Sequence, residues 1–218
     1  MSFVFANNNL GETVSVSECY NNPYDAYQNR NYKKKELCLV ADNRVICILD
    51  TKMISVKWAV ACAKRVLHIF EEQYPSNKRP RKAIEAASNW IKDPSEQNKK
   101  ACKDASNDVD LYYNNLQVAI ANPMCWVYAM YAASYTADAV FVFTAFATSV
   151  AVMAALYASL ATPNKSLEIK WQRQKLNQIV YEEILIAFVR SQYQRIDSKL
   201  VRKIPKELLE YIASFITG

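Results

Sequence analysis

The chain has 218 residues, 51% of them hydrophobic and 22% charged, with a formal charge of +6. That length suits one ordinary domain, or one with a small appendage, and allows a sizeable core. Gly11 and Gly218 are the only glycines, which excludes a phosphate-cradling P-loop and a dinucleotide-binding turn, since both need several glycines against phosphate. His68 is the only histidine, which excludes HExxH and multi-histidine metal sites; no cofactor or metal is expected.

Residues 1–50 read as β-strand and loop. FVFA and TVSVSEC are short apolar or alternating runs around NNNLGE, a spacing that predicts a hairpin. Residues 20–35, polar and tyrosine-rich, read as an irregular loop. ELCLVADNRVICILD predicts a second hairpin, because two β-prone runs flank Ala41-Asp42-Asn43-Arg44 and both Asp and Asn tolerate turn geometry.

From Thr51 the apolar period becomes helical. Ile54, Trp58, Cys62, Leu67 and Phe70 mark one face over about 52–73. Pro75 and Pro80 break the pattern, and Pro80 suits the first turn of the next helix, which ends near Lys92 with Ile84, Ala87 and Ile91 on one face. Asp93-Pro94-Ser95-Glu96 predicts a third helix to about Asn115, with Asp93 as N-cap and Glu96 completing a capping box. Asn122-Pro123 opens the next. From Val118 to Ala161 the single charge is Asp138, and 138–162 passes the length test for a membrane span. Tyr128, Tyr131 and Tyr135 recur there at nearly helical spacing. A helix apolar all round is either a buried central helix or a span, and periodicity does not choose between them. Asp138 is then a costly intramembrane charge, or a helix-junction residue that caps or pairs with an arginine. Pro163-Asn164 ends the run. A helix over about 166–194 places Leu167, Trp171, Leu176, Ile179, Ile184 and Phe188 inward and WQRQK outward. A last one begins near Pro205, amphipathic through Leu208, Leu209, Ile212 and Phe215.

The six cysteines contain no CxxC pair, and the start MSFVFANNNLGE has neither the basic region nor the apolar run of a signal peptide. Reduced thiols in a cytoplasmic compartment are the expectation, with Cys38 and Cys47 the best disulfide candidates otherwise. Charge is uneven. Residues 165–206 hold ten Lys/Arg against four Asp/Glu, while the remainder balances at seventeen each. Such a segment is a solvated helix face, or a surface for nucleic acid, an acidic membrane or an acidic partner.

WAVACAKRVLHIFEEQYPSNKRPRKAIEAASNWIKD, residues 58–93, resembles the helical, immunity-five-like family of putative immunity proteins of bacteria. Trp58, Cys62, Ala63, Arg65, Val66, Leu67, Phe70 and Glu71 match its first motif. Arg79, Pro80, Arg81, Ala83, Ile84, Glu85, Ala86 and Ala87 match its second. The resemblance extends over about 50–165, by composition alone after the motifs. It implies an all-α body, no known catalysis, and neutralisation of a toxin by binding. Inhibitors of basic nuclease toxins tend to be acidic, so a +6 chain calls for an acidic or neutral target. IPKELLEYIASFI also resembles the opening of an F-box-type helix. Abundant Asn, Lys, Tyr and Ile suggest an AT-rich genome, bacterial or viral.

His68 lies about 120° round the helix from Cys62, so a Cys–His dyad would need Cys102 or Cys125. Arg65 and Glu85 suit a bridge across the first helical hairpin. Lys78, Arg79, Arg81 and Lys82 occupy a turn, where binding residues are often displayed. Trp58, Cys62, Arg65, Phe70, Pro80 and Glu85 are read as motif residues with structural work. The resulting expectation is a mainly α protein: a β/loop element over 1–50 with a small β-hairpin, and a bundle of six or seven helices over 51–218. The function expected is non-enzymatic occupation of a protein partner. The alternatives are an assembly protein such as a virion component, using residues 1–50 as a contact arm, and a membrane protein spanning at 138–162.

Overall fold

The computed structural model describes residues 2–7, 9–30, 36–117 and 125–193. Among these, seven α-helices and one three-stranded antiparallel sheet make a mainly α protein. The chain divides into two compact units, residues 1–54 with 174–218, and residues 55–173.

In the first unit, β1 (Ser2–Ala6), β2 (Glu36–Ala41) and β3 (Arg44–Leu49) lie in the order β1-β2-β3. The second hairpin forms as the sequence predicts, with Asp42 and Asn43 both at positive φ, 49° and 60°. The first does not. FVFA pairs with β2, from Ser2 opposite Val40 to Ala6 opposite Glu36. TVSVSEC gives a single bridge, Thr13 to Arg44, and a 3-10 turn over Val16–Glu18. The reason lies in β2, whose Leu37, Cys38, Leu39 and Val40 are all buried. A run buried on both faces suits the central strand, paired along both edges, and β1, buried from Phe3 to Ala6, pairs along its free edge. The polar stretch after residue 20 contains α1 (Pro23–Gln28), started by Asn22, whose side-chain oxygen accepts the Asp25 N–H at 3.0 Å. Tyr27 packs edge-on against Phe5, ring centroids 5.3 Å apart, and Phe3 against Tyr181 at 6.1 Å. Cys38 faces Ile48 across the ladder and Cys47 faces Leu39, so the pleat sends the two thiols to opposite faces, and all six cysteines are unbridged. Burial pushes the Cys38 thiol up to about 12 and the Cys47 thiol to about 11.

The second unit is built from most of α2 (Thr51–Gln73), α3 (Arg79–Lys92), α4 (Glu96–Gln117), α5 (Cys125–Phe141), α6 (Thr144–Ala161) and the start of α7 (Lys165–Tyr193). Trp58, Cys62, Leu67 and Phe70 of α2 are buried, and Pro80, Ala83, Ile84, Ala87 and Trp90 form the buried stripe of α3. The α4 cap sits two residues later than predicted. Asp93 closes α3, its N–H donating to the Asn89 carbonyl, and Ser95 Oγ accepts the Asn98 N–H at 3.4 Å. Ser95→Ala is expected to cost about 0.5–1 kcal/mol in a denaturant titration. Asp93 works from outside the helix, its carboxylate taking the Ser95 hydroxyl and the Asn98 amide at 3.0 and 2.9 Å.

The long apolar run is two helices, parted at Val142 and Phe143. Alanines 129, 132, 133, 137 and 139 of α5 and 147, 151, 154, 155 and 158 of α6 are buried, and small side chains let helix backbones approach closely. Among the described residues no helix is long and apolar enough to cross a membrane. The start of α7 is rotated relative to the predicted face. Leu167 is 57% exposed, whereas Glu168 and Gln172 are buried at 3% each. A polar layer turns them inward. Arg65 Nε donates to Glu168 at 2.6 Å, Trp58 Nε1 donates to the Gln172 carbonyl at 3.1 Å, and Gln172 Nε2 donates to the Ala155 carbonyl at 2.8 Å. Asn122-Pro123, the segment from Pro205 with its F-box-like pattern, and the Phe188 side chain lie outside the described residues.

Candidate functional site

Two helical stripes of polar and aromatic residues meet in the second unit. Ser106, Asp110, Tyr113 and Asn114 recur along α4 at spacings of four, three and one, and Tyr131, Ser134, Tyr135 and Asp138 along α5 at three, one and three. Each set lies on one helix face. Together, all except Ser106 line an open cleft of about 280 Å³.

Two buried serines orient its carboxylates, exposed Asp110 and half-buried Asp138. The Ser134 hydroxyl donates to Asp110 Oδ1 at 2.8 Å, and the Ser106 hydroxyl donates to Asp138 Oδ1 in a short hydrogen bond. The serine oxygens lie 3.1 Å apart and are buried. Desolvation, opposed by the Ser106 hydrogen bond and reinforced by the negative charge of Asp110, raises the Asp138 carboxyl to about 6. Among the described residues no arginine pairs with Asp138, which sits in the last turn of α5 and binds a serine of α4.

The walls are tyrosine. Tyr113 and Tyr131 approach with ring centroids 4.6 Å apart, and Tyr157 of α6 backs Tyr131 at 5.1 Å and Tyr135 at 5.4 Å, the last pair stacked within 8°. Burial first, then neighbouring tyrosines, pushes the Tyr131 and Tyr135 phenols above their ordinary value, so both are neutral at pH 7.

Lys78, Arg79, Arg81 and Lys82 do not occupy a turn: Lys78 caps α3 and the other three lie in its first helical residues, where they are largely engaged within the unit. Arg81 makes a two-pronged pair with Glu71 at 2.7 and 2.5 Å, and Lys78 approaches the same carboxylate at 4.0 Å. Arg79 pairs with Asp108 at 3.2 Å and lies over the Tyr112 ring at 5.1 Å. Lys82 is exposed. The bridge across the α2–α3 hairpin is therefore Glu71–Arg81, and not Arg65–Glu85. Arg65 instead pairs with Glu168 and stacks over Trp171 at 4.6 Å, while Glu85 is exposed. Trp58, Cys62, Phe70 and Pro80 are buried. His68 is exposed on α2, whereas Cys62 and Cys102 are buried.

Sequence reasoning noticed Asp138 and the α5 tyrosines but missed Asp110, Tyr113 and Ser106. Their own helical spacing along α4 was the available signal.

Residues 47–110 match the family model described as Imm-5 like putative immunity protein. That is a shorter stretch than the resemblance over about 50–165. The Imm-5 like segment runs from β3 through α2 and α3 into α4, and it ends on Asp110, the first carboxylate of the cleft. No curated protein and no solved structure matches the chain.

Proposed function

We propose that the protein acts without catalysis, by occupying a protein partner in the manner an immunity description implies. The match over residues 47–110 carries this reading. The tyrosine-walled cleft supports it. A tyrosine ring is rigid and amphipathic, so it offers contact area with little entropy lost on binding. Burial raises the Cys62 thiol well above its ordinary value and the Cys102 thiol to about 12, so neither of these two is a thiolate nucleophile at neutral pH, whereas Cys125 is exposed. The test is co-expression with the products of the adjacent genes, followed by size-exclusion chromatography with light scattering and a growth assay. A one-to-one complex with a toxic neighbour, and relief of its toxicity, is the expected result. A toxic neighbour that forms no complex and keeps its full toxicity overturns the reading.

A further inference from the structure

We infer that the cleft between α4 and α5 is a seat for an organic cation, namely the ammonium or guanidinium end of a lysine or arginine side chain presented by the partner. The inference rests on the reading of the protein as one that occupies a protein partner. Asp110 and Asp138 supply negative charge, and Tyr113, Tyr131 and Tyr135 supply electron-rich rings, in the lining of one cleft. About 280 Å³ exceeds the roughly 30 Å³ share of a water several-fold, which leaves room for a charged group and its last methylenes. Two carboxylates disfavour an anion. A metal is disfavoured by the donor set, because among the described residues no group of three or more His, Cys, Asp or Glu side chains is placed to hold one.

The same unit already shows this recognition twice. On α4 itself, Asp108 and Tyr112 hold the Arg79 guanidinium by an ion pair and a ring face. Glu168 and Trp171 hold Arg65 in the same way. In both, a carboxylate lies three or four residues before the aromatic ring on one helix. Asp110 and Tyr113 repeat that arrangement, yet among the described residues no lysine or arginine pairs with Asp110 or Asp138. Among the described residues, the cleft is the one of the three such pairs that holds no cation of the chain's own. The proposal also reconciles a net charge of +6 with a basic contact, because recognition here is local: it asks for one cationic side chain, on a partner that is otherwise neutral or acidic.

The test uses the full chain and four capped tripeptides, Gly-X-Gly with X lysine, arginine, norleucine or glutamate, read by NMR shifts of the Tyr131 and Tyr135 rings. The lysine and arginine peptides are expected to move these signals with a Kd of about 1 mM, and Asp138→Asn to weaken them about tenfold while the variant remains folded by its melting curve. Equal binding of the norleucine peptide, preference for the glutamate peptide, or no shift at about 20 mM overturns the inference. The two readings fail separately. A partner complex that Asp138→Asn leaves unchanged removes the cation seat and keeps the immunity reading. Cationic peptides that bind in the cleft, with no partner complex, do the reverse.

Discussion

Asp138→Asn is expected to stabilise the protein at pH 7 while removing one of the two negative charges of the cleft. The folded chain holds the Asp138 proton up to about pH 6, against an ordinary value of 3.8. Between those values the folded state binds more protons than the unfolded one, so stability falls as pH rises through the window and stays low above it. The cost at neutral pH is about 2 kcal/mol after allowance for solvent reaching the carboxylate. Desolvation first, then the Asp110 charge, sets this cost, against the Ser106 hydrogen bond, which favours the ionised form. With both carboxylates ionised, each serine spends its one proton on an aspartate, and the 3.1 Å approach of Ser106 to Ser134 carries none. A proton on Asp138 completes a chain from Asp138 through Ser106 and Ser134 to Asp110. An asparagine amide supplies that donor permanently.

The groups facing Asp138 are Ser106 and Asp110 from α4 and Tyr135 from its own helix, and Tyr135 is neutral throughout the window. The variant should therefore gain about 1–2 kcal/mol at pH 7, a rise of roughly 3–6 °C in Tm, and lose the decline between pH 4 and 6. Glu71 slopes the other way. The Arg81 hydrogen bonds hold its carboxyl low, so it contributes stability above its ordinary range that is lost as pH falls. The difference between wild type and variant cancels that contribution. Melting curves over pH 4–8 decide the matter, and a variant less stable at pH 7 would show that the ionised carboxylate is already satisfied. A gain in stability coupled to loss of cation binding is the pattern expected of a residue kept for function.

Elements governed by local spacing were legible in the sequence, and partners far apart in the chain were not. The stripe Trp58, Cys62, Leu67, Phe70 needs only the helical period, and the turn at Asp42-Asn43 needs only residues that tolerate positive φ. The partner of Arg65 lies 103 residues away, and nothing in a period of 3.6 prefers Glu168 to Glu85. The α7 face shows the same limit. Leu167 reads as core and Glu168 as surface until an arginine is found opposite the glutamate. At the cleft, the α5 half was visible because Asp138 stands alone in an apolar run. The α4 half was hidden because three aspartates, Asp104, Asp108 and Asp110, share that helix. Only the packing of α4 on α5 separates Asp110, which meets Ser134, from Asp108, which meets Arg79.

Trp58→Ala is expected to be among the most damaging single changes in the chain, at about 3–5 kcal/mol. Trp58 is fully buried in α2, and its indole N–H donates to the Gln172 carbonyl at 3.1 Å. It therefore joins the Imm-5 like segment to the start of α7 across 114 residues of sequence. Truncation removes the largest fully buried side chain among the described residues and leaves a cavity that the surrounding helices fill only in part. Trp58→Phe separates packing from hydrogen bonding, because it keeps most of the ring and removes only the donor. The Gln172 carbonyl lies inside α7 and retains its helical partner, so the loss should stay at about 1–2 kcal/mol. Urea titrations of the two variants give both numbers. Equal losses would place the energy in the indole hydrogen bond, whereas the expected threefold gap places it in the packing of α2 on α7. Arg65 lies two turns along the same face of α2, where it pairs with buried Glu168, so the ion pair and the indole hold one polar layer together. Loss of Trp58 should then weaken the Arg65–Glu168 pair as well. Arg65→Ala is expected to cost less in the Trp58→Ala background than alone, a non-additivity that a double-mutant cycle reads directly.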